Sequence, residues 1–444
     1  QSQRKQNYQQ RVEALLSRDF AYEKEGAIRF RMTREPILIP DMVVGDVLRP
    51  LTDLAPVPSL AFGASDLARR WIARSGLPLF AIEARASAMA CWPDAPVPDT
   101  AAIAPDDEAV VVNAAALPGE WFDAVLAERS PTLFLCEGRV AAARLPLAML
   151  RGGIGRGEDF ETVLLGLALP TRTCDVAFLD FPWDLMTRNP EAIVADLAGR
   201  APSQAGTVHR TAVLEGDAIV LEPGSFIGPF ALLDATSGPI LVARGARVEA
   251  HSIVRGPCVI GPGTQILGGS VSGTTFGPEC RIAGEVEACV WQGHANKRHH
   301  GFVGHSVIGE WVNLGALTTT SDLKNNYGRV RVWVEGREVD TGSPKIGSFL
   351  GAHVKTGIGT LLPTGASIGT AANLFGGGRF VPKQVAAFAW WDGERSVEHE
   401  LERMLATARI AASRRGRSLT PAYEDAVRSC HAATAAERAR GAGA

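Results

Sequence analysis

Four of the nine histidines in this 444-residue sequence lie between residues 285 and 327, at His294, His299, His300 and His305. The same segment holds two of the seven lysines and several amide or hydroxyl groups, namely Lys297, Lys324, Asn296, Asn313, Asn325, Asn326 and Tyr327. Histidine titrates near neutral pH, so it can take a proton from an attacking group. Lysine can hold a phosphate. The segment therefore predicts an active site for acid–base chemistry.

A metal site is a poor interpretation of these histidines. No carboxylate or thiolate stands among them at a matching spacing, and Lys297 and Arg298 lie between them. The seven cysteines are scattered and contain no C-x-x-C, which favours reduced thiols over disulfides or zinc. We therefore predict that no metal is bound here.

The composition excludes two classes of partner. A formal net charge of −3 argues against binding to nucleic acid or to a membrane surface. No apolar run reaches the length of a membrane-spanning helix, and the polar first residues do not resemble a signal peptide. We expect a cytoplasmic protein of two or three domains.

A short repeat must position the histidine segment. Apolar residues fall six apart at Val242, Val248, Val254, Ile260 and Ile266. The step continues, after changes of phase, at Phe276 and Ile282, at Phe302, Ile308 and Leu314, at Ile346, Ala352 and Ile358, and at Ile368 and Leu374. A unit this short fits one strand and one turn, so residues 201–392 are predicted to form a β-solenoid. A solenoid with a purely structural role is the alternative.

The repeat is interrupted at residues 318–344. Val330, Val332 and Val334 alternate with polar residues before a turn at Gly336, which predicts a β-hairpin. Long loops on a rigid solenoid often carry function. In this class of fold, such a loop commonly reaches a neighbouring subunit.

The rest of the chain divides into three parts. Residues 1–35 read as an extension, and residues 393–444 as a helical tail. Residues 36–200 alternate strands and helices, which predicts a largely parallel sheet. Ligands of such sheets sit beyond the carboxyl ends of strands, where Asp41 and Asn113 follow apolar runs.

Several stretches resemble one known family. They are ILIPDMVVGDVLRPL, VVVNAAALPGEW, FPWDLMTRNPEAIVADL, NKRHHGFVGHSVIGEWVNLGA and SDLKNNYG. The family is an alternative bacterial one, similar to the bifunctional N-acetylglucosamine-1-phosphate uridylyltransferase/glucosamine-1-phosphate N-acetyltransferase. The resemblance implies an α/β nucleotidyltransferase-like domain, a left-handed parallel β-helix of hexapeptide repeats, and a short helical tail. It also implies a homotrimer with active sites between subunits.

The resemblance assigns roles to residues of the histidine segment. It places His299 on the catalytic base. His300, one residue further along, and His305 are the alternatives. Substrate contacts fall on Asn313, Asn326 and Tyr327, and phosphate contacts on the lysines Lys297, Lys324 and Lys345. Asn313 has a second interpretation, as part of an asparagine ladder. The cosubstrate implied is acetyl-CoA.

The same resemblance gives the first domain a doubtful site. Ala55 and Ala61 stand where the family has arginines, and no lysine occurs between Gly26 and Asn296. Asp41, Arg49 and Asn113 are the remaining candidates for nucleotidyl transfer, and Mg²⁺ would be needed only if that half is active. We expect an acetyl-CoA-dependent N-acetyltransferase acting on a hexosamine phosphate such as glucosamine-1-phosphate. The alternatives are a fully bifunctional enzyme that also transfers UMP from UTP, and a non-catalytic trimeric scaffold.

Overall fold

The computed structural model of the chain describes residues 21–24, 27–30, 36–40, 47–96, 107–150 and 160–441. Asp41 and residues 1–20 of the predicted extension lie outside the described residues. Ala21–Lys24 and Ala27–Phe30 pair as an antiparallel hairpin. None of the helices in these ranges has the length and apolar character needed to span a bilayer.

The first domain is built on a six-stranded sheet. Its strands lie in the order Thr171–Thr173, Thr132–Cys136, Arg139–Pro146, Glu108–Val112, Ile37–Pro40 and Leu79–Glu83. Only Arg139–Pro146 runs antiparallel to its neighbours, so the sheet is largely parallel, as the alternation of strands and helices predicted. The helices of this part are Leu67–Ser75, Ala86–Met89, Trp121–Ala127, Phe160–Gly166, Pro182–Thr187 and Asn189–Leu197, with 3-10 turns at Val57–Ser59 and Leu147–Leu150 and a two-residue strand pair at Ala61–Phe62 and Ser65–Asp66.

A parallel β-solenoid follows, as the six-residue repeat predicted. Face 1 is a ten-stranded sheet of Ser203–Gln204, Ile219–Leu221, Ile240–Val242, Cys258–Ile260, Thr275–Phe276, Val290–Trp291, Val307–Ile308, Ser348–Leu350, Ala366–Ile368 and Gln384–Val385. Face 2 contains Thr207–Val208, Phe226–Ile227, Arg247–Val248, Asn296–Lys297, Asn313–Leu314, Lys355–Thr356, Asn373–Leu374 and Ala389–Trp391, the last paired with Ser396–Glu398. Face 3 contains Val213–Glu215, Leu232–Asp234, Ser252–Arg255, Phe302–Gly304, Thr319–Thr320 and Leu361–Leu362. Two longer strands, Gln265–Ser272 and Arg281–Glu287, run from face 2 to face 3.

We name the edges of this prism by the faces they join. Corner 1 lies between faces 1 and 2, corner 2 between faces 2 and 3, and corner 3 between faces 3 and 1. Each coil therefore turns three times, and a side chain at a corner points away from the side chains at the other two. This placement decides which functional groups can meet.

The inward-facing residues of the first coils are those that the spacing predicted. Val242, Val248, Val254, Ile260 and Ile266 are all buried in one core that runs along the prism. Four later predictions are wrong. Ile346 and Ala352 are buried in clusters other than this core. Val303, not Phe302, lies in this core, and Ile358 is 71% exposed. After the long loop the inward positions are taken by Leu350, Val354 and Leu362, with Ile368 and Leu374 as predicted.

Face 1 is apolar on its outer side as well as inside. Val290, Val307 and Phe349 point outward and are buried in the same cluster as the core of the first domain. Val220, Leu241 and Val259 are covered by Ile193 and Leu197 of the last helix of that domain. Burying such a side chain stabilises the folded chain by roughly 1.5–3 kcal/mol. The first domain therefore packs firmly along one face of the solenoid.

The chain ends in three helices, Leu401–Ser413, Pro421–Ala433 and Ala435–Gly441. The second begins as predicted, because the Thr420 hydroxyl accepts a hydrogen bond from Tyr423 N at 3.1 Å and Pro421 occupies the first helical position. The helices pack on corner 1, where the Tyr423 hydroxyl lies 2.6 Å from His353 Nε2. Faces 2 and 3 receive no such cover from the helix pair.

Lys297 occupies an inward position of face 2, level with Ile282 on the coil below. Its side chain is 1% exposed, and its Nζ donates to Ala283 O and to His299 O, both at 2.9 Å. Burial lowers the pKa of this ammonium to about 8. A charged lysine inside the solenoid is therefore unfavourable unless both carbonyls remain in place.

The titration of Lys297 gives a pH-dependent stability. Its pKa falls from about 10.5 to about 8 on folding, so between these values the unfolded chain holds the proton more tightly. Stability should then rise with pH across this window, by about 3 kcal/mol in total. Across this pH window, the unfolding free energy of the native chain should increase by roughly that amount relative to the unfolding free energy of Lys297→Met. Guanidinium unfolding at matched protein concentrations measures both.

Lys383→Met is the matched control, since Lys383 lies on the surface and pairs with Glu338 at 3.0 Å. Its pH profile should follow that of the native chain through the window. Parallel profiles for the native chain and Lys297→Met would contradict the burial of a titrating ammonium.

Candidate active site

One coil of the solenoid carries all four histidines of the chemistry-rich segment, and it sends them to three different corners. His294 lies at corner 1, between Val290–Trp291 and Asn296–Lys297. His299 and His300 lie at corner 2, before Phe302–Gly304, and His305 lies at corner 3. The sequence segment is therefore not one cluster of side chains. Each corner has to be judged on its own surroundings.

At corner 2 the backbone is fixed and the side chains are exposed. Arg298, His299 and His300 are all exposed. Lys297 Nζ holds His299 O, and Leu317 N donates to His300 O at 2.9 Å. An imidazole with an anchored backbone and solvent access can exchange protons without unfolding the turn.

Lys297 is not positioned to contact a substrate. Its ammonium group is directed into the solenoid, where two backbone carbonyls already accept its hydrogen bonds. A contact with a sugar phosphate would break both bonds. The prediction of Lys297 as a phosphate cation is therefore wrong, and the structure makes it a support for the His299 turn.

A groove of about 480 Å³ lies beside corner 2, lined by His300, Glu285 and His251 with glycines between them. The glycines are required by the close approach of successive coils. A Cβ on Gly284, whose φ is +86°, would lie 2.7 Å from Gly301 O and 2.8 Å from Lys297 Nζ. The floor of the groove is therefore bare backbone, with room for a thin chain.

Glu285 is a candidate that the sequence analysis missed. It lies on Arg281–Glu287, paired with Phe302 across face 3, and its side chain is exposed at the groove. The signal was present in the sequence, because Glu285 and Glu287 flank the apolar Val286, and this alternation places both glutamates on the outward side of a strand. A carboxylate here adds a hydrogen-bond acceptor beside His300.

Asn313 takes part in a ladder on the outer side of face 2. Its Oδ1 accepts a hydrogen bond from Asn296 Nδ2 at 2.8 Å, and Lys355 is its register partner on the next coil. Burial lowers the pKa of Lys355 to about 8. Asn313 is half-buried, so the ladder and a substrate contact remain compatible.

The long loop leaves the solenoid at corner 3. Leu323 and Lys345 close its base as an isolated bridge, and Lys324 Nζ donates to Arg329 O at 2.6 Å. Asn326 Oδ1 accepts from Gly328 N at 3.0 Å, and Tyr327 is 74% exposed. The loop therefore presents Lys324, Asn326, Tyr327 and Lys345 together at one corner.

The predicted hairpin is confirmed as Arg331–Val334 paired with Arg337–Asp340. Val330, Val332 and Val334 are buried against the first domain of the same chain, beside Phe349. The expectation that this hairpin reaches a neighbouring subunit is therefore wrong for its valine face. The part around Tyr327 is exposed, as is the hairpin turn at residues 335–338.

His305 has the most defined polar partner of these histidines. Its Nδ1 lies 2.7 Å from Asp322 Oδ2 at the root of the loop. Burial acts to raise the pKa of Asp322, but the hydrogen bond and positive charge of His305 and the charge of Lys345 outweigh it, so the pKa is lowered. A carboxylate hydrogen-bonded to one ring nitrogen fixes the tautomer and the orientation of an imidazole.

Within one chain the predicted site residues form two groups. His299 with Asn313 lies toward corner 2, and the loop residues lie at corner 3. The three-residue strand Phe302–Gly304 of face 3 separates the corners, which is roughly 10 Å of backbone. One chain alone does not bring the histidine and the loop together.

The residues predicted for nucleotidyl transfer serve other purposes. Asn113 is fully buried, and its amide donates to Val140 O and accepts from Ala115 N, both at 3.0 Å. The prediction of Asn113 as a metal or nucleotide contact is therefore wrong, since both of its polar atoms hold backbone. Arg49 forms ion pairs with Asp53 and Glu437. Ala55 and Ala61 line a large cavity between the first domain and the solenoid.

Comparison with known proteins bears on both halves. Residues 37–202 match the sequence model of the sugar nucleotidyl transferase family. A bifunctional sugar-1-phosphate nucleotidylyltransferase/acetyltransferase of Sulfurisphaera tokodaii is 38% identical over 93 residues, which is 21% of this chain and 23% of that protein. The bifunctional protein GlmU of Methanococcus aeolicus is 28% identical over 192 residues, 43% of this chain and 40% of its own. These matches span less than half the length of either relative.

Solved structures give a weaker likeness. A UDP-N-acetylglucosamine acyltransferase aligns at 13% identity and a TM-score of 0.20, over 46% of this chain and 79% of its own. The corresponding enzyme of Campylobacter jejuni aligns at 14% identity and a TM-score of 0.17, over 51% and 95%. At scores this low, neither likeness supports a functional assignment.

The matches of sequence agree with the order of the parts, a nucleotidyltransferase-type sheet followed by a repeat solenoid. The family resemblance inferred from the sequence motifs is therefore confirmed: residues 37–202 match the sugar nucleotidyl transferase model, and parts of the chain are similar in sequence to bifunctional nucleotidyltransferase/acetyltransferases.

Proposed function

We propose that this protein is an acetyl-CoA-dependent N-acetyltransferase that acetylates the amino group of glucosamine-1-phosphate. The observation that carries the proposal is the anchored, exposed His299 turn beside a glycine-floored groove. A groove with a glycine floor leaves room for a thin acyl-carrier arm, which a pocket lined by bulky side chains would exclude. His300 lines this groove and His299 precedes it in the chain, so the proposal places His299 next to the thioester that the arm carries.

The reaction assigns one task to each group. The sugar amine attacks the thioester carbonyl, the C–N bond forms and the C–S bond breaks. His299 accepts the amine proton, and coenzyme A leaves as the free thiol. Asn313 contributes a hydrogen bond to the sugar, and Lys324 or Lys345 holds its phosphate.

The separation of the two groups of residues supports a shared site. Corner 2 carries His299, and corner 3 carries Lys324, Asn326, Tyr327 and Lys345. In a threefold arrangement of prisms, corner 2 of one copy can face corner 3 of the next. Corner 2 also bears an exposed apolar ridge that a second copy would cover, made of Leu317, Ile358, Phe375 and Phe380. We therefore propose a homotrimer as the active form.

The first domain is proposed to hold the structure together without nucleotidyl transfer. Asn113 is committed to backbone, Arg49 is committed to carboxylates, and alanines line the adjacent cavity. The bifunctional reading stays as the second candidate, because residues 37–202 match a sugar nucleotidyl transferase family. It requires UTP, Mg²⁺ and release of pyrophosphate.

Replacement of His299 tests the base. His299→Ala should lower kcat for coenzyme A release by about two to four orders of magnitude, the usual contribution of a general base. The KM for acetyl-CoA should change little. His300→Ala removes a groove-lining imidazole but leaves the proposed base in place, so it should act mainly on the KM for acetyl-CoA and keep kcat within about tenfold of the native value. A loss below tenfold in His299→Ala, with a large loss in His305→Ala, would assign the base to the His305–Asp322 pair instead.

Mixed oligomers test the shared site. Chains carrying His299→Ala and chains carrying Tyr327→Ala should each form inactive or weakly active homotrimers. Co-expressed in equal amounts, they should regain about one quarter of the native activity, because one in four random neighbour pairs joins an intact corner 2 to an intact corner 3. Mixed trimers as inactive as both parents would place the whole site within one chain.

A further inference from the structure

The groove beside corner 2 ends at a pair of exposed aromatic rings. His251 and His300 line its two ends, at the same corner of different coils. Phe230 occupies that corner on the coil before His251. The centre of its ring lies 5.3 Å from the centre of the His251 ring, and the two planes meet at only 11°, so the rings are stacked. The groove of the proposed site therefore leads to an aromatic surface.

Phe230 presents a flat surface that solvent can reach. The residue is 61% exposed, although phenylalanine is among the residue types most often buried. His251 is exposed as well, and it supports one face of the Phe230 ring. Phe230 N donates to the Thr211 hydroxyl at 3.2 Å, which fixes the backbone of this turn. The opposite face of the Phe230 ring is available to a planar group.

The distance from this ring to the proposed base matches the length of an acetyl-CoA molecule. The strands of face 2 pair in four successive steps from Phe226–Ile227 to Asn296–Lys297. Since neighbouring strands lie about 4.8 Å apart, the corner at Phe230 is roughly 19 Å from the corner at His299. An extended pantetheine arm, with the reach of a peptide chain of similar length, covers roughly 15 Å of this span. The diphosphate and ribose cover the rest, which leaves the base at Phe230.

One arginine borders the groove between these two ends. Arg255 is exposed, and its Nη1 donates at 2.9 Å to the hydroxyl of Ser270, a residue that lines the groove. Asp234, the register partner of Arg255 on the preceding coil, accepts hydrogen bonds from Thr236. In the described ranges no carboxylate lies within ion-pair distance of Arg255. The donors of the guanidinium that Ser270 does not use can therefore bind a phosphate.

We propose that this end of corner 2 binds the nucleotide half of acetyl-CoA, with the adenine base stacked on Phe230 and the diphosphate held by Arg255. The inference rests on the proposed acetyl transfer, because that reaction places acetyl-CoA in the groove. Phe230 and Arg255 then favour a donor that carries a nucleotide over a shorter acyl thioester. Both are binding residues, and neither takes part in the transfer of the acetyl group.

Two acetyl donors test this role. S-acetylpantetheine has the thioester and the arm of acetyl-CoA but lacks the nucleotide. Phe230→Ala and Arg255→Met should each raise the KM for acetyl-CoA by about tenfold, as expected for one lost stacking or phosphate contact, and should leave kcat unchanged. Neither variant should change the KM for S-acetylpantetheine. Phe230→Trp keeps an aromatic face and should retain the native KM for acetyl-CoA.

Ile410→Ala and Arg403→Met are the matched controls. Both residues are exposed on the C-terminal helix Leu401–Ser413, and the C-terminal helices pack on corner 1. Both variants should keep the native KM for either donor. Calorimetric titration with coenzyme A and with pantetheine repeats the comparison without turnover, and size-exclusion chromatography shows whether each variant keeps the native oligomer.

The inference is overturned if folded native protein binds coenzyme A no more tightly than pantetheine. It is also overturned if neither variant raises the KM for acetyl-CoA, or if both raise the KM for the two donors equally. A changed oligomer in Phe230→Ala would contradict it too, because Phe230 would then be a contact between copies. Binding of coenzyme A that depends on Phe230, without acetylation of glucosamine-1-phosphate, would support this site and contradict the proposed acceptor.

Discussion

Stacking of the coils is the constraint on which the rest of this structure depends. A single coil leaves its apolar centre and its strand edges open, so each coil is stable only against the next. The inward row of Val248, Ile266 and Ile282 must therefore stay in register, so that inserted residues can be accommodated only at corners and loops. Chemistry in this protein is found at corners for that reason.

The three corners of the histidine coil differ in solvent exposure because other parts of the chain pack on only some of them. The first domain lies against face 1, and the C-terminal helices cover corner 1 at His353 and Tyr423. Corners 2 and 3 have no such cover from the described part of the chain. The exposed turn at His299 and the projecting loop at Tyr327 therefore lie where other copies of the chain can reach. The same packing that encloses one cavity leaves the proposed catalytic groove open.

Much of the fold could be predicted from the sequence because the spacing of apolar residues follows directly from the geometry of strands and coils. Six-residue spacing identified Val242 through Ile266 as inward residues, and alternating valines identified the hairpin. The phase failed at Ile358 because a long loop separates Ile308 from its register partner Leu350, and no spacing survives such an insertion. The apolar runs Ile240–Val242 and Cys258–Ile260 carried an unused signal, since an outer side that is also apolar must be covered.

The site was less readable than the fold. The sequence does not distinguish an asparagine that binds a metal from one that hydrogen-bonds to backbone. The hydrogen bonds of Asn113 to Val140 and Ala115 show that it is the second kind. Lys297 stood among histidines in the sequence but points into the solenoid, because face 2 alternates outward and inward residues. Cavities such as the one between the first domain and the solenoid depend on three distant segments meeting, which local sequence does not reveal.

The most direct test of the central claim is release of free coenzyme A by the native protein. Acetyl-CoA and glucosamine-1-phosphate are supplied together and separately, with and without UTP and Mg²⁺. The account predicts thiol release only when the amino sugar is present, and no pyrophosphate. No thiol release from folded, trimeric protein would contradict the proposed acetyl transfer, and pyrophosphate would contradict the structural role given to the first domain.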